Sequence, residues 1–349
     1  MKAAMRHEAA GSSKKGQVFG FVLCAVLFVL CCSAEAQQRV RRIGYLSSGK
    51  ASPTSDPGLS AFRTRLRELG YVEGQNAVIE ARYGELDAGQ LAAQAAELVS
   101  LRVDVILTSP DEPAIRAAQL ATRTIPVVMP GIVVDPLEPT FWGEKQRAPL
   151  VASLANPGGN FTGLTNLASD LHAKRLELLK EAFPQISRVA LLWPRAQQQK
   201  QTLRDIDDLR KALNMEILSL AAGSLEDFER ALTTMARDKP DALFVARSQV
   251  ILNHQARVID FAAKRRLPSM FADSLFVDHG GLMSYGPDTL DLYRRAAIYV
   301  DKLLKGARPD ELPIERPMKF EFVVNGKTAK QLGLNMTPNV LARADRVIR

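Results

Sequence analysis

"RIGYLSSGKASPTSDPGLSAFRTRLRELGYVEGQNAVIEARY", residues 42–83, carries the rhythm that decides the fold. Its first segment, 42–48, is an apolar run suited to a strand. Over 58–70, Leu59, Phe62, Leu66 and Leu69 fall on one face at the spacing of an amphipathic helix, with Gly70 as a stop. A second strand-like run follows at 77–83. Two strands separated by a full helix predict a crossover connection and parallel pairing.

Outward from this unit the pattern repeats. A helical stretch at 87–101, where Leu91, Ala95 and Leu98 share a face, is followed by strand-like runs at 103–109 and 125–130. The strands read as continuous apolar runs, as expected when helices cover both faces of a sheet. The rhythm breaks at 131–159, which holds Pro136, Pro139, Pro149, Pro157 and the pair Gly158-Gly159. A long structureless segment inside one compact domain is uncommon, so this stretch reads as a junction carrying a surface loop. The alternation then restarts, with strands at 160–166, 188–194, 215–221, 241–247, 267–273, 280–286 and 318–325. Helices are predicted at 170–183, 197–213, 225–237, 250–265 and 288–305. Two βα series of about 120 residues each predict an α/β protein with two lobes and mostly parallel sheets.

Upstream, Val18 to Cys32 is an uninterrupted apolar run of 15 residues. A helix crossing a bilayer needs about 20. Lys2, Arg6, Lys14 and Lys15 precede the run, and Ala34-Glu35-Ala36 closes it as an A-x-A cleavage site. Residues 1–36 therefore read as a signal peptide, with Gln37 the mature start and the periplasm the destination. All three cysteines, Cys24, Cys31 and Cys32, lie in this leader, so the mature chain is expected to form neither disulfides nor thiolate metal sites. None of the three follows the small-residue pair that lipidation requires.

The chain carries a net charge of +8, and removing the leader's four basic and two acidic residues leaves +6. The basic residues are scattered among acids on predicted helices, as in "FRTRLRELG" and "LRDIDDLRKAL", with no basic run interleaved with aromatics. Nucleic acid is therefore not an expected partner. With a leader at the N-terminus and no helix-turn-helix there, a DNA-binding repressor is not expected.

Catalytic machinery is sparse. His172, His254 and His279 are far apart and form no H-x-x-x-H pair. "GGNFTGLT" (158–165) has phosphate-loop glycine spacing, but Leu164 stands where lysine is required. "GLMSYG" (281–286) is one residue too long before Ser284 for a nucleophile elbow. An exported hydrolase would have to improvise a triad from Ser284, His279 and Asp273. What remains is a set of polar or aromatic residues at predicted strand ends: Ser47, Ser48, Thr108, Ser109, Asp135, Trp193, Arg247 with Ser248, and Asp273. Open parallel sheets bind ligands outside the carboxyl ends of their strands, near helix N-termini. For each residue a plainer role competes: helix caps for the serines, a core edge for Trp193, and an Arg247–Asp273 bridge.

"RRIGYLS", "LRELGYVEGQNAVIEARY", "LAAQAAELVSLRVDVILTS", "LANPGGNFTG", "KRLELLKEAFP", "GGLMSYGPD" and "KFEFVVNGKTAKQLGLNMTPNVLARADRVI" span nearly the whole mature chain. Together they resemble the ABC transporter substrate-binding family, typified by tryptophan- and tyrosine-type binding proteins. The resemblance implies a type I periplasmic-binding-protein fold, with two Rossmann-like lobes joined by three crossovers and a solute held by hinge closure. Its expected lobes are 37–159 with 286–316, and 160–285 with 317–349. It implies an ABC permease and its ATPase at the inner membrane as partners, a monomer, no cofactor and no enzymatic activity. The alternative is the ligand-sensing module of a periplasmic signalling system. The chain departs from the family in two places. "SPDEPAIRAA" puts Asp111 and Glu112 where a ligand carboxylate could be received, and "LEPTFWGEKQRAP" (137–149) looks inserted. An aromatic amino acid is therefore not carried over as the ligand.

Overall fold

The computed structural model describes residues 39–50, 56–132, 135–137, 140–142, 145–166, 171–194 and 200–349. The leader 1–36 lies outside them. Among the described residues no helix is long and apolar enough to cross a membrane.

The first sheet is built from β1 (Arg41–Ser47), β2 (Ala77–Tyr83), β3 (Val105–Thr108), β4 (Val127–Ile132) and β7 (Phe161–Thr165). Its order is β2-β1-β3-β4-β7, and every pairing is parallel. Between β4 and β7 runs a small antiparallel hairpin, β5 (Thr140–Trp142) and β6 (Lys145–Arg147), within the segment read from sequence as an insertion. The second sheet contains β8 (Arg188–Trp193), β9 (Glu216–Ala221), β10 (Ala242–Val245), β11 (Ser269–Phe271), β12 (Met283–Pro287), β13 (Phe320–Asn325) and β14 (Arg346–Ile348). Its order is β14-β13-β12-β11-β10-β8-β9, with only β12–β13 antiparallel.

The helices follow from their local sequence. α1 (Pro57–Glu68) starts on the Asp56 cap with Pro57 in the first turn, and buries Leu59, Phe62 and Leu66. α2 (Ala88–Ser100) is capped by Asp87 and buries Leu91, Ala95 and Leu98. α3 (Glu112–Ala121) is capped by Asp111. In the second lobe come α4 (Leu171–Ala182), α5 (Lys200–Ala212) and α6 (Leu225–Asp238). The single helix expected at 250–265 is two, α7 (Gln249–Asn253) and α8 (Gln255–Lys264), because His254 leaves the helical region between them. α9 (Ser274–Asp278) and α10 (Thr289–Leu304) follow. Two short C-terminal helices, α11 (Gly326–Leu332) and α12 (Pro338–Ala342), and β14 were not read from the sequence; at three to seven residues each they are too short to show a period.

The break placed at 159/160 is corrected by β7. This strand pairs with β4 from Val127↔Phe161 onward, and Phe161 shares a core with Leu150, Val151, Leu98 and Ile106. The Pro/Gly segment is therefore a long connection inside the first lobe, and the chain leaves that lobe only after Thr165. It crosses between Thr165 and Leu171, returns between Pro287 and Thr289, and crosses again between Glu315 and Phe320. α10 belongs to the first lobe: its Leu292, Tyr293, Ala296 and Val300 pack with Ile43, Tyr45 and Phe62. Glu315 exchanges backbone bonds with Gly163 and Thr165 before the last crossing.

Each sheet is covered on both faces by apolar clusters. One cluster of the second lobe includes a basic pair. His172 on α4 is 2 % exposed and meets Trp193 and Phe244 edge-on. One turn on, the Arg175 guanidinium lies over Phe244 and donates from Nε to the Tyr285 carbonyl (2.6 Å). Burial, and then the neighbouring Arg175 charge, push the His172 pKa down to about 3. Burial brings Arg175 itself down to about 9. His172 is thus neutral in the fold, whereas an unfolded chain protonates it near pH 6.5. Below that pH the unfolded state binds a proton that the folded state does not, so stability falls as pH drops from about 6.5 towards 3. We expect His172→Asn, which cannot ionise, to flatten this slope by up to about 1.4 kcal/mol per pH unit. Urea unfolding of both proteins between pH 7 and 5 checks this; parallel slopes would refute it.

Candidate functional site

Both sheets have the order of a doubly wound fold with a switch point, between β1 and β3 in the first and between β8 and β10 in the second. At such a point neighbouring connections leave in opposite directions and a crevice opens beyond the strand ends. A cleft of about 390 Å³ is found there, lined from both lobes. Tyr45, Ser47, Asp56 and Ser109 line it from the first lobe, and Arg247, Gln249, Leu252 and His279 from the second. Gly49 and Gln249 approach across it, so that a β-carbon on Gly49 would lie 3.2 Å from the Gln249 amide nitrogen.

The first-lobe wall is a connected network. Asp56 accepts from the Leu59 backbone N–H (2.9 Å) through one oxygen and from the Tyr45 hydroxyl (2.7 Å) through the other. The Tyr45 hydroxyl also lies 3.4 Å from that of Tyr293, on the helix that returns from the second lobe. Burial, with the nearby Asp56 charge, raises both tyrosine pKa values, so both hydroxyls stay protonated. Beside them Ser109 Oγ accepts from the Ser48 backbone N–H (3.2 Å) and donates to Asp111, which also caps α3 at Ala114.

On the second-lobe wall Arg247 forms an ion pair with Asp273 and donates to Thr289 Oγ1 (3.2 Å). Burial pulls the guanidinium below its usual pKa, opposed by Tyr293, Asp111, Tyr45 and Asp56. Asp273 in turn caps α9 at Leu275 (3.0 Å).

Of the residues singled out from sequence, Ser47, Ser109 and Arg247 line the cleft. Ser48 and Thr108 are fully buried just behind it. Asp273 takes the bridging role. Asp135 is placed elsewhere, accepting from the Leu137 N–H at a turn (2.9 Å). Trp193 is a correction: it is 0 % exposed and donates to Ser219 Oγ (2.9 Å), so it is a core residue and no wall for a solute. The improvised triad does not assemble. Asp273 is committed to Arg247, His279 Nδ1 is 2.7 Å from the Leu275 carbonyl, and the buried Ser284 hydroxyl has no partner. The sequence reading missed Tyr45, Asp56, Gln249 and Tyr293. Asp56-Pro57 is a readable helix start, and Tyr45 alternates with Ser47 on one strand face. Nothing local marks Tyr293, which read as one more apolar helix position.

Residues 52–348 match the family model described as "ABC transporter substrate binding protein". The chain belongs to this family. A curated relative, the tyrosine-binding protein of Clostridioides difficile (strain R20291), is 26% identical over 283 residues, covering 81% of this chain and 78% of that one. Among solved structures, a Streptococcus pneumonia ABC domain in complex with L-Trp is 26% identical with a TM-score of 0.75, covering 88% of this chain and 99% of that one. A conserved domain protein of Vibrio cholerae, 23% identical, has the same TM-score and covers 88% of this chain and 100% of its own. With these neighbours the two-lobed α/β architecture is the type I periplasmic-binding-protein fold.

The wall can be probed through Gly58. A β-carbon there would overlap the Tyr293 ring, which packs against the first turn of α1. Gly58→Ala is expected to displace that ring and destabilise the chain by about 1–3 kcal/mol. Chemical denaturation checks the value, and an unchanged midpoint would show that Tyr293 does not pack as described.

Proposed function

We propose that the chain is an exported solute-binding protein that captures a small molecule between its lobes and delivers it to an ABC importer. Its partners in this reading are the importer's permease and ATPase at the inner membrane, and it acts as a monomer in the periplasm. One observation carries the reading: hydrogen-bonding groups of both lobes face a single cleft at the carboxyl ends of both sheets. Ser47, Ser109 and Gln249 are the proposed polar contacts, with Tyr45 and Tyr293 as walls. Two similar proteins, a tyrosine-binding protein and a domain solved in complex with L-Trp, support a small-molecule solute. No covalent step is invoked. The lobes close because only the closed arrangement satisfies groups on both sides, and that arrangement is what the permease recognises.

The mature chain, screened by thermal shift against amino acids, amines, purines, sugars and organic acids, should be stabilised by at least one solute. At a ligand concentration of 100 times Kd the expected gain is about 2.7 kcal/mol. Native mass spectrometry of freshly purified protein provides the second readout. No shift across the panel, with no co-purifying small molecule, would overturn the proposal.

A further inference from the structure

We propose that the cleft selects its solute by a positively charged amine, received by the Asp56 carboxylate, and that it does not read a carboxylate on the solute. This rests on the solute-binding reading above and assigns the chemistry of that site.

The argument begins with what is already occupied. Two features of the site could have received an anion. Arg247 is one, but it is paired with Asp273 and donates to Thr289. The first turn of α3 is the other, since helix N-termini favour anions. There the chain's own Asp111 accepts from the Ala114 N–H and from Ser109, and Glu112 adds a second negative charge, 3.5 Å from Arg116. An incoming carboxylate would meet acids at both places. Lys50 also lines the cleft, but it is exposed to solvent, where its charge is screened.

Asp56 is in the opposite condition. It lines the cleft, and its described partners are one backbone N–H and one tyrosine hydroxyl. Among the described residues no Lys, Arg or His lies in ion-pair contact with it. Each carboxylate oxygen accepts more than one hydrogen bond, so both keep capacity for a further donor. The rings of Tyr45 and Tyr293 adjoin it and shield it from bulk water. Leu252, Leu275 and Leu290 supply apolar surface for the rest of the molecule. A partly buried carboxylate beside aromatic rings fits an ammonium group on an apolar body.

The test uses the mature chain and sets of matched probes: primary amines on small alkyl, phenylethyl and indolylethyl bodies, each with the carboxylate and the alcohol of the same body. Titration calorimetry should find an amine that binds at least about tenfold more tightly than its carboxylate and alcohol twins. Asp56→Asn should weaken that amine by a similar factor. Asparagine keeps the helix cap but is a weaker acceptor for the Tyr45 hydroxyl, so a modest fall in melting temperature is expected, and Tyr45→Phe, which loses the same bond but keeps the carboxylate, separates lost folding from lost recognition. Tyr45→Phe, which retains the ring, should have the smaller effect. A carboxylate twin that binds as well as its amine, an amine affinity untouched by Asp56→Asn, or no bound amine at all would overturn the proposal. If some other solute still stabilises the chain in the thermal screen, the solute-binding reading survives that failure; if none does, both fall.

Discussion

The Asp56 carboxylate holds three elements of the first lobe in register. Through one oxygen it ends the unsatisfied backbone of α1, and through the other it fixes the Tyr45 hydroxyl at the end of β1. Tyr45 then meets Tyr293 on α10, a helix reached only after the chain has built most of the second lobe and come back. A charged acceptor makes stronger hydrogen bonds than a neutral one, so the contact between β1, α1 and the returning helix is directional as well as apolar. Gly58 completes it by leaving room for the Tyr293 ring. The cleft wall is therefore also a piece of the lobe's framework.

The second wall uses the same device with a different outcome. Asp273 caps a helix, as Asp56 does, but its remaining capacity goes to Arg247. Thr289, at the start of α10 and beside the second crossing, joins this pair. A charge pair of the second lobe is thus tied to a connection between the lobes. The two capping aspartates differ in their partners: Asp273 forms an ion pair with Arg247, and Asp56 forms none among the described residues.

Away from the cleft, the second lobe tolerates a buried basic pair. Arg175 offsets its desolvation through the Tyr285 carbonyl and the face of Phe244, and His172 avoids the same cost by remaining neutral. His172 and Trp193 pack edge to face there. That contact, with the bond to Ser219, is why the aromatic residue that ends β8 faces the core.

The sequence by itself determined the class of fold and the position of most of its elements. The period of apolar residues is a local property: Leu59, Phe62 and Leu66 form a stripe on any helix, and 42–48 is an apolar strand wherever it pairs. The strand-end rule also brought Ser47, Ser109 and Arg247 to the cleft. Tertiary structure alone decided where one lobe stops, because the Pro/Gly loop at 131–159 breaks the rhythm without leaving the first sheet, and only the β4–β7 pairing reveals it. It also decided which polar groups face the cleft. Tyr293 reaches the cleft because α10 returns across 248 positions of sequence to Tyr45, and Trp193 leaves it because Ser219 and His172 hold the indole inward. Such contacts are set by the packing of distant segments, on which local pattern carries no information.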